Sequence, residues 1–123
     1  MTTLPLWAIL FLVGVAGALG ALVRHAVMVV GAPNRPQTRR RIIGVNTAGA
    51  FFAGVLLALD TFVAGVVAVG VFGALTTFST VALWVADDLG RRQVLAAVRL
   101  VAAHLLLGIP AVIAGFLFGG FFF

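Results

Sequence analysis

Four long apolar runs, parted by short polar interruptions, organise this chain: residues about 5–30, 42–59, 63–86 and 94–121. A helix needs about 20 apolar residues to cross the hydrocarbon core of a bilayer, and each run is close to that length. The pattern predicts an all-α membrane protein with a single four-helix transmembrane domain over residues 1–123. The interruptions carry the turn chemistry. Gly31-Ala32-Pro33-Asn34-Arg35-Pro36-Gln37-Thr38 and the arginine triplet behind it hold two prolines and four arginines. That composition is expected to keep the connector out of helix, so the second helix is expected to start near Ile42. Asp60-Thr61 ends the second run, and Asp87-Asp88-Leu89-Gly90-Arg91-Arg92 ends the third.

The third run breaks its own pattern. Gly73-Ala74-Leu75-Thr76-Thr77-Phe78-Ser79-Thr80 puts four hydroxyl side chains in the middle of an apolar segment. Polar side chains at that depth are tolerated where they face protein, an ion or a water-filled cavity. A regular helix would place Thr76, Ser79 and Thr80 on one face, with Phe78 and Val81 one turn apart on another. Gly73 and the paired threonines mark an expected break in the helix. Such a break releases backbone carbonyls, and these suit a hard cation such as sodium. A hydroxyl bonded to its own backbone four residues earlier is the plainer alternative, and it accounts for a single threonine more easily than for four.

Composition sets the solvent. The chain is 63% hydrophobic and 9% charged, with a mean hydropathy of +1.27. No soluble fold of this size buries so much apolar surface. All eight basic side chains are arginines, and the net charge is +5. Six of them (Arg35, Arg39, Arg40, Arg41, Arg91 and Arg92) fall in the connectors between runs one and two and between runs three and four. Arg24 and Arg99 sit toward the same side and could snorkel to it. By the positive-inside rule that side is cytoplasmic and both termini lie outside the cell membrane. The arginines therefore set topology, and no nucleic-acid partner is expected. The first run lacks a basic leader at Met1-Thr2-Thr3-Leu4 and is too long for a cleaved signal.

Other residues narrow the chemistry. There is no cysteine, so thiol chemistry is excluded. No nucleophile–base pair or metal-ligand cluster stands out, so the chain is not expected to be an enzyme. No carboxylate lies inside a run, and the neutral donors and nearby arginine favour an anion over a cation. Asn46, within the second run, offers an amide either to an interhelical hydrogen bond or to a ligand. His25 and His104 are lone histidines expected to be packed or interfacial. Small residues at Gly14, Gly17, Ala18 and Ala21, and at Gly49, Ala50, Ala53 and Gly54, are expected to form close helix–helix faces.

These segments together are similar to the Fluc/CrcB fluoride channels. The motif at residues 73–80 carries most of the resemblance. Gly44-Val45-Asn46-Thr47-Ala48-Gly49-Ala50-Phe51 and Gly17-Ala18-Leu19-Gly20-Ala21-Leu22-Val23-Arg24 support it. The resemblance covers the whole chain and implies passive fluoride export through an antiparallel dimer, with protection from fluoride toxicity. It implies a third helix broken near the dimer centre and a structural sodium ion held there by the carbonyls of Gly73 and Thr76. It also implies that Asn46, Phe78, Ser79 and Thr80 line the pore and that Arg24 lies near its vestibule.

Two positions depart from the family pattern. Val81 stands where a second phenylalanine is usual, and no serine, threonine or tyrosine follows Thr80. The one-sided arginines favour a partner of opposite orientation, so a dimer with a paralogous subunit is expected, with a homodimer as the alternative. The rival functions are a small four-helix multidrug-type transporter and a non-conducting structural partner. The transporter chemistry needs a membrane-embedded acid, usually glutamate, and the chain has none.

Overall fold

The computed structural model describes residues 4–31 and 33–122. Met1 to Thr3, Ala32 and Phe123 lie outside the described residues, so the absence of a basic leader at Met1-Thr2-Thr3 has no structural counterpart here. The described residues are helical and contain no strand. Helix α1 covers Leu6–Val29 and α2 covers Arg35–Ala58. The third span begins with α3, Phe62–Val67, widens into a π-helical turn at Ala68–Phe72, and closes its first half with α4, Gly73–Leu75. Its second half is α5, Phe78–Gly90, and the fourth span is α6, Val94–Phe122. All four spans are long and apolar enough to cross a membrane. The chain is a multi-pass membrane protein.

The second helix starts a full seven residues earlier than the proline content suggested, at Arg35 rather than Ile42. Its start is a capping box. The Asn34 side chain accepts from the Gln37 N–H at 3.0 Å, and the Gln37 side chain accepts from the Asn34 N–H at 3.0 Å. Pro36 falls in the first turn, where its missing N–H would have had no helical partner. The arginine triplet therefore rides on a helix. There Arg41 donates to the carbonyls of Val27 and Val30 at 2.8 and 2.6 Å, satisfying acceptors left open where α1 ends.

The same arginines join the two connectors. Arg39 bonds the buried carboxylate of Asp88 at 2.6 Å and lies over the Trp84 ring. Arg35 pairs with Asp87, which also holds Arg91 at 3.0 Å. The connector between spans one and two thus meets the connector between spans three and four at one end of the bundle. Beneath them Ile42, Val81 and Leu100 form a small buried core, with Met28, Ile43, Trp84 and Val85 packed against it.

Elsewhere the contacts are made by small residues. Helices α2 and α6 form the most extensive pairing in the chain. A Cβ at Gly54 would lie 2.2 Å from the Val112 carbonyl oxygen, and one at Gly115 would lie 2.0 Å from that of Phe51. The two backbones touch because neither glycine has a side chain. Helix α1 meets the π-helical turn in the same way, at Gly20 against Val71 and at Gly70 against Ala16. The stripe on α1 is therefore Gly17 and Gly20. Gly14 and Ala18, expected on it, face outwards. On α2 the expected Gly49 and Gly54 are both buried. Large side chains such as Trp7, Phe11, Leu106 and Leu117 point away from the bundle, where lipid replaces water as the solvent.

Candidate functional site

Helical hydrogen bonding in the third span stops at Thr76, whose N–H is bonded to the Phe72 carbonyl at 3.0 Å. Thr76 and Thr77 are extended, with ψ of 152° and 115°. Two consecutive extended residues leave peptide groups without helical partners, which is costly in a bilayer unless other groups supply them. Asn46 on α2 does so. Its Oδ1 accepts from the Thr77 N–H at 2.9 Å, and its Nδ2 donates to the Thr77 carbonyl at 3.3 Å. One turn further along α2, Gly49 leaves room for the Thr76 methyl: a Cβ there would lie 2.6 Å from it. Asn46 and Gly49 are spaced as neighbours on one helix face, and that face is shaped to receive the break.

Thr77 is the buried centre of the motif. Its hydroxyl caps α5 by accepting from the Thr80 N–H, and it lies 3.1 Å from the Ser79 hydroxyl and 3.3 Å from that of Thr80. Ser79 and Thr80 therefore gather on Thr77. Thr76 belongs to neither half-helix, so the single face of Thr76, Ser79 and Thr80 expected for a regular helix does not form. The Thr76 hydroxyl bonds back to the Phe72 carbonyl at 3.0 Å, the self-satisfying contact that was the plainer alternative. Thr77 carried no special signal among four hydroxyls; its role follows from the location of the break.

Phe78 and Val81 diverge although they are one turn apart. Phe78 is 84% exposed, whereas Val81 is 6% exposed and belongs to the core with Ile42 and Leu100. Both border a groove of about 310 Å³, whose walls include Asn46, Thr77 and His104. His104 is the residue that sequence reasoning passed over. It is the polar side chain that the fourth span brings to this groove, and a lone histidine in a span without hydroxyls was the available signal.

Two backbone carbonyls at the break lack their regular helical donors. Thr77 gives its N–H to Asn46, so the Gly73 carbonyl loses its regular helical donor and keeps a 3.4 Å contact from the Thr76 hydroxyl. The Thr76 carbonyl has the Arg24 guanidinium 3.5 Å away. Arg24 thus reaches inward from α1 to the break. No charged side chain lines the groove among the described residues. Neutral donors, an exposed ring edge and a partly buried arginine stand together near it, with no carboxylate among them.

A family model described as CrcB-like protein, Camphor Resistance (CrcB), matches residues 11–116. A protein of Francisella philomiragia named Fluoride-specific ion channel FluC is 30% identical over 121 residues, covering 89% of this chain and 93% of its own length. One of Parasynechococcus marenigrum, named Fluoride-specific ion channel FluC 1, is 32% identical, with 89% and 92% covered. One of Deinococcus radiodurans, named Fluoride-specific ion channel FluC, is 34% identical, with 94% and 95% covered. No solved structure matches the chain.

Proposed function

The chain belongs to the CrcB-like family, and from that premise we propose that it is a subunit of a fluoride-selective channel that lets fluoride leave the cell passively and so protects against its toxicity. The observation that carries this reading is the pairing of Asn46 with both peptide groups of Thr77. It holds a polar interruption open inside an apolar span, beside a groove that Phe78 borders. Nothing in that arrangement performs bond chemistry, so the role is conduction.

Fluoride is small and holds its water tightly, and an uncompensated anion in a low-dielectric medium costs on the order of tens of kcal/mol. Close donors must replace that shell. The Asn46 amide has two N–H groups, and the one not given to Thr77 is available to the ion. The Phe78 ring edge adds partial positive charge. Ser79 and Thr80 add hydroxyls whose protons can turn from Thr77 toward the path. Arg24 contributes charge from the vestibule side.

A structural sodium ion fits the donor set of the break. The Gly73 and Thr76 carbonyls are hard oxygen ligands released from regular helical pairing, and such oxygens suit hard cations. The ion would supply fixed positive charge where carboxylates are absent. One chain offers too few of these oxygens for a full shell, which supports an antiparallel dimer with the breaks adjacent at its centre. The arginine-bearing connectors meet at one end of the bundle. We assign that end to the cytoplasm and both termini to the outside of the cell membrane. So strong a bias favours a paralogous partner of opposite orientation over a homodimer.

The test is fluoride efflux from liposomes, followed with a fluoride electrode, for the chain alone and co-reconstituted with a paralogue. Efflux of fluoride but not chloride is expected. Rapid efflux from the chain alone would refute obligate pairing, and silence from both preparations would refute the channel itself. Phe78→Ala gives a sharper check. Removing so exposed a ring should leave thermal unfolding nearly unchanged. Flux should fall about tenfold or more if the ring edge lines the path.

A further inference from the structure

We propose that His104 is the fourth span's contact to the permeating anion, and that it acts as an imidazolium, so that fluoride passage is coupled to protonation of this ring. The proposal rests on the channel reading above and extends it to a residue outside the third-span motif. His104 Nδ1 lies 2.8 Å from the Leu100 carbonyl of its own helix. A carbonyl oxygen only accepts, so Nδ1 carries a hydrogen. In the neutral ring the other nitrogen, Nε2, then presents a lone pair. Nε2 is buried and forms no hydrogen bond within the chain, and the ring is part of the groove wall with Asn46, Thr77 and Phe78.

A lone pair facing fluoride repels it. Protonation turns the same atom into a charged donor, and charge-assisted hydrogen bonds are the strong ones. Space filling alone does not explain a ring nitrogen left unpaired in a residue that lines the groove with Asn46 and Thr77. No hydroxyl follows Thr80 in the sequence, so α6 has no uncharged donor to offer in its place.

The charged groups on the elements packed against α6 are engaged or directed elsewhere. On α2, Arg35 and Arg39 hold Asp87 and Asp88 of α5, Arg41 caps α1, and Arg40 is exposed. Arg91 is bound to Asp87, Arg99 on α6 itself is exposed, and Arg24 reaches the Thr76 carbonyl from α1. Among the described residues, His104 is therefore the ionisable side chain that lines the groove. Protonation and fluoride binding then favour one another by equal factors.

The experiment uses liposomes with whichever assembly conducts, with protein-free liposomes correcting for diffusion of hydrogen fluoride. Efflux is measured from about pH 8 to about pH 5, the range in which imidazole takes up its proton. Wild-type efflux should rise about fivefold or more as the pH falls. His104→Gln keeps a neutral donor near Nε2 and should conduct with a flat pH profile, whereas His104→Ala should lose most flux at every pH. Identical pH profiles for wild type and His104→Gln would overturn the proposal while leaving the channel intact. A His104→Ala variant conducting like wild type would overturn it equally. Absence of flux from every assembly would refute the channel reading and this proposal with it.

Discussion

Replacing Asn46 with alanine is expected to abolish fluoride flux and to lower the thermal unfolding temperature of the purified protein. Asn46 is the partner of both the N–H and the carbonyl of Thr77. A buried peptide group left unpaired costs about 1–3 kcal/mol; the Thr77 N–H is the group that loses its partner, since the Thr77 carbonyl still receives the first N–H of α5. Without that pairing the extended pair at Thr76 and Thr77 has little to hold it. Asn46→Asp separates the two roles of the side chain. Its carboxylate still accepts from the Thr77 N–H, so the break should persist and the protein should purify. It cannot donate, and it sets a negative charge on the anion path, so flux should be lost all the same. Asn46→Ala protein that unfolds and conducts like wild type would sink this account of the site.

The second large effect belongs to the crossing of α2 and α6. Gly115→Ala would put a methyl 2.0 Å from the Phe51 carbonyl oxygen, and Gly54→Ala one 2.2 Å from that of Val112. Neither obstacle is a side chain that can rotate away; the helices themselves must part. Overpacking a tight contact costs about 1–3 kcal/mol, and a rigid backbone on both sides puts these sites at or above the upper end. Each single variant should shift the thermal transition well below wild type and yield aggregated protein on size exclusion. The double variant should cost less than the two together, because separating the helices for one methyl also makes room for the other. Gly14→Ala is the matched control. Nothing lies within 4 Å of its added Cβ, so it should leave the transition in place or raise it through better helix propensity.

The break in the third span was visible because four hydroxyls and a glycine cannot sit idle in hydrocarbon. The second helix start was misplaced because prolines and arginines were weighed as composition. Their position within a capping box, with Asn34 and Gln37 at its two corners, decides the matter. The glycine stripe on α1 was partly misassigned for a similar reason. Several small residues share helical spacing, and only the approach of the π-helical turn selects Gly17 and Gly20 over Gly14 and Ala18.

The sequence by itself determined that this protein lives in lipid, crosses it four times, gathers its arginines at one end and interrupts its third crossing near residue 76. Those features depend on run length, charge and local chemistry, which a linear pattern records. Tertiary structure alone decided that Asn46 closes its amide on Thr77, that Val81 turns inward while Phe78 turns out, and that His104 joins their groove. Each of those outcomes depends on which face of one helix meets which face of another, and at crossings this tight the helix faces are set by backbone contact between distant residues.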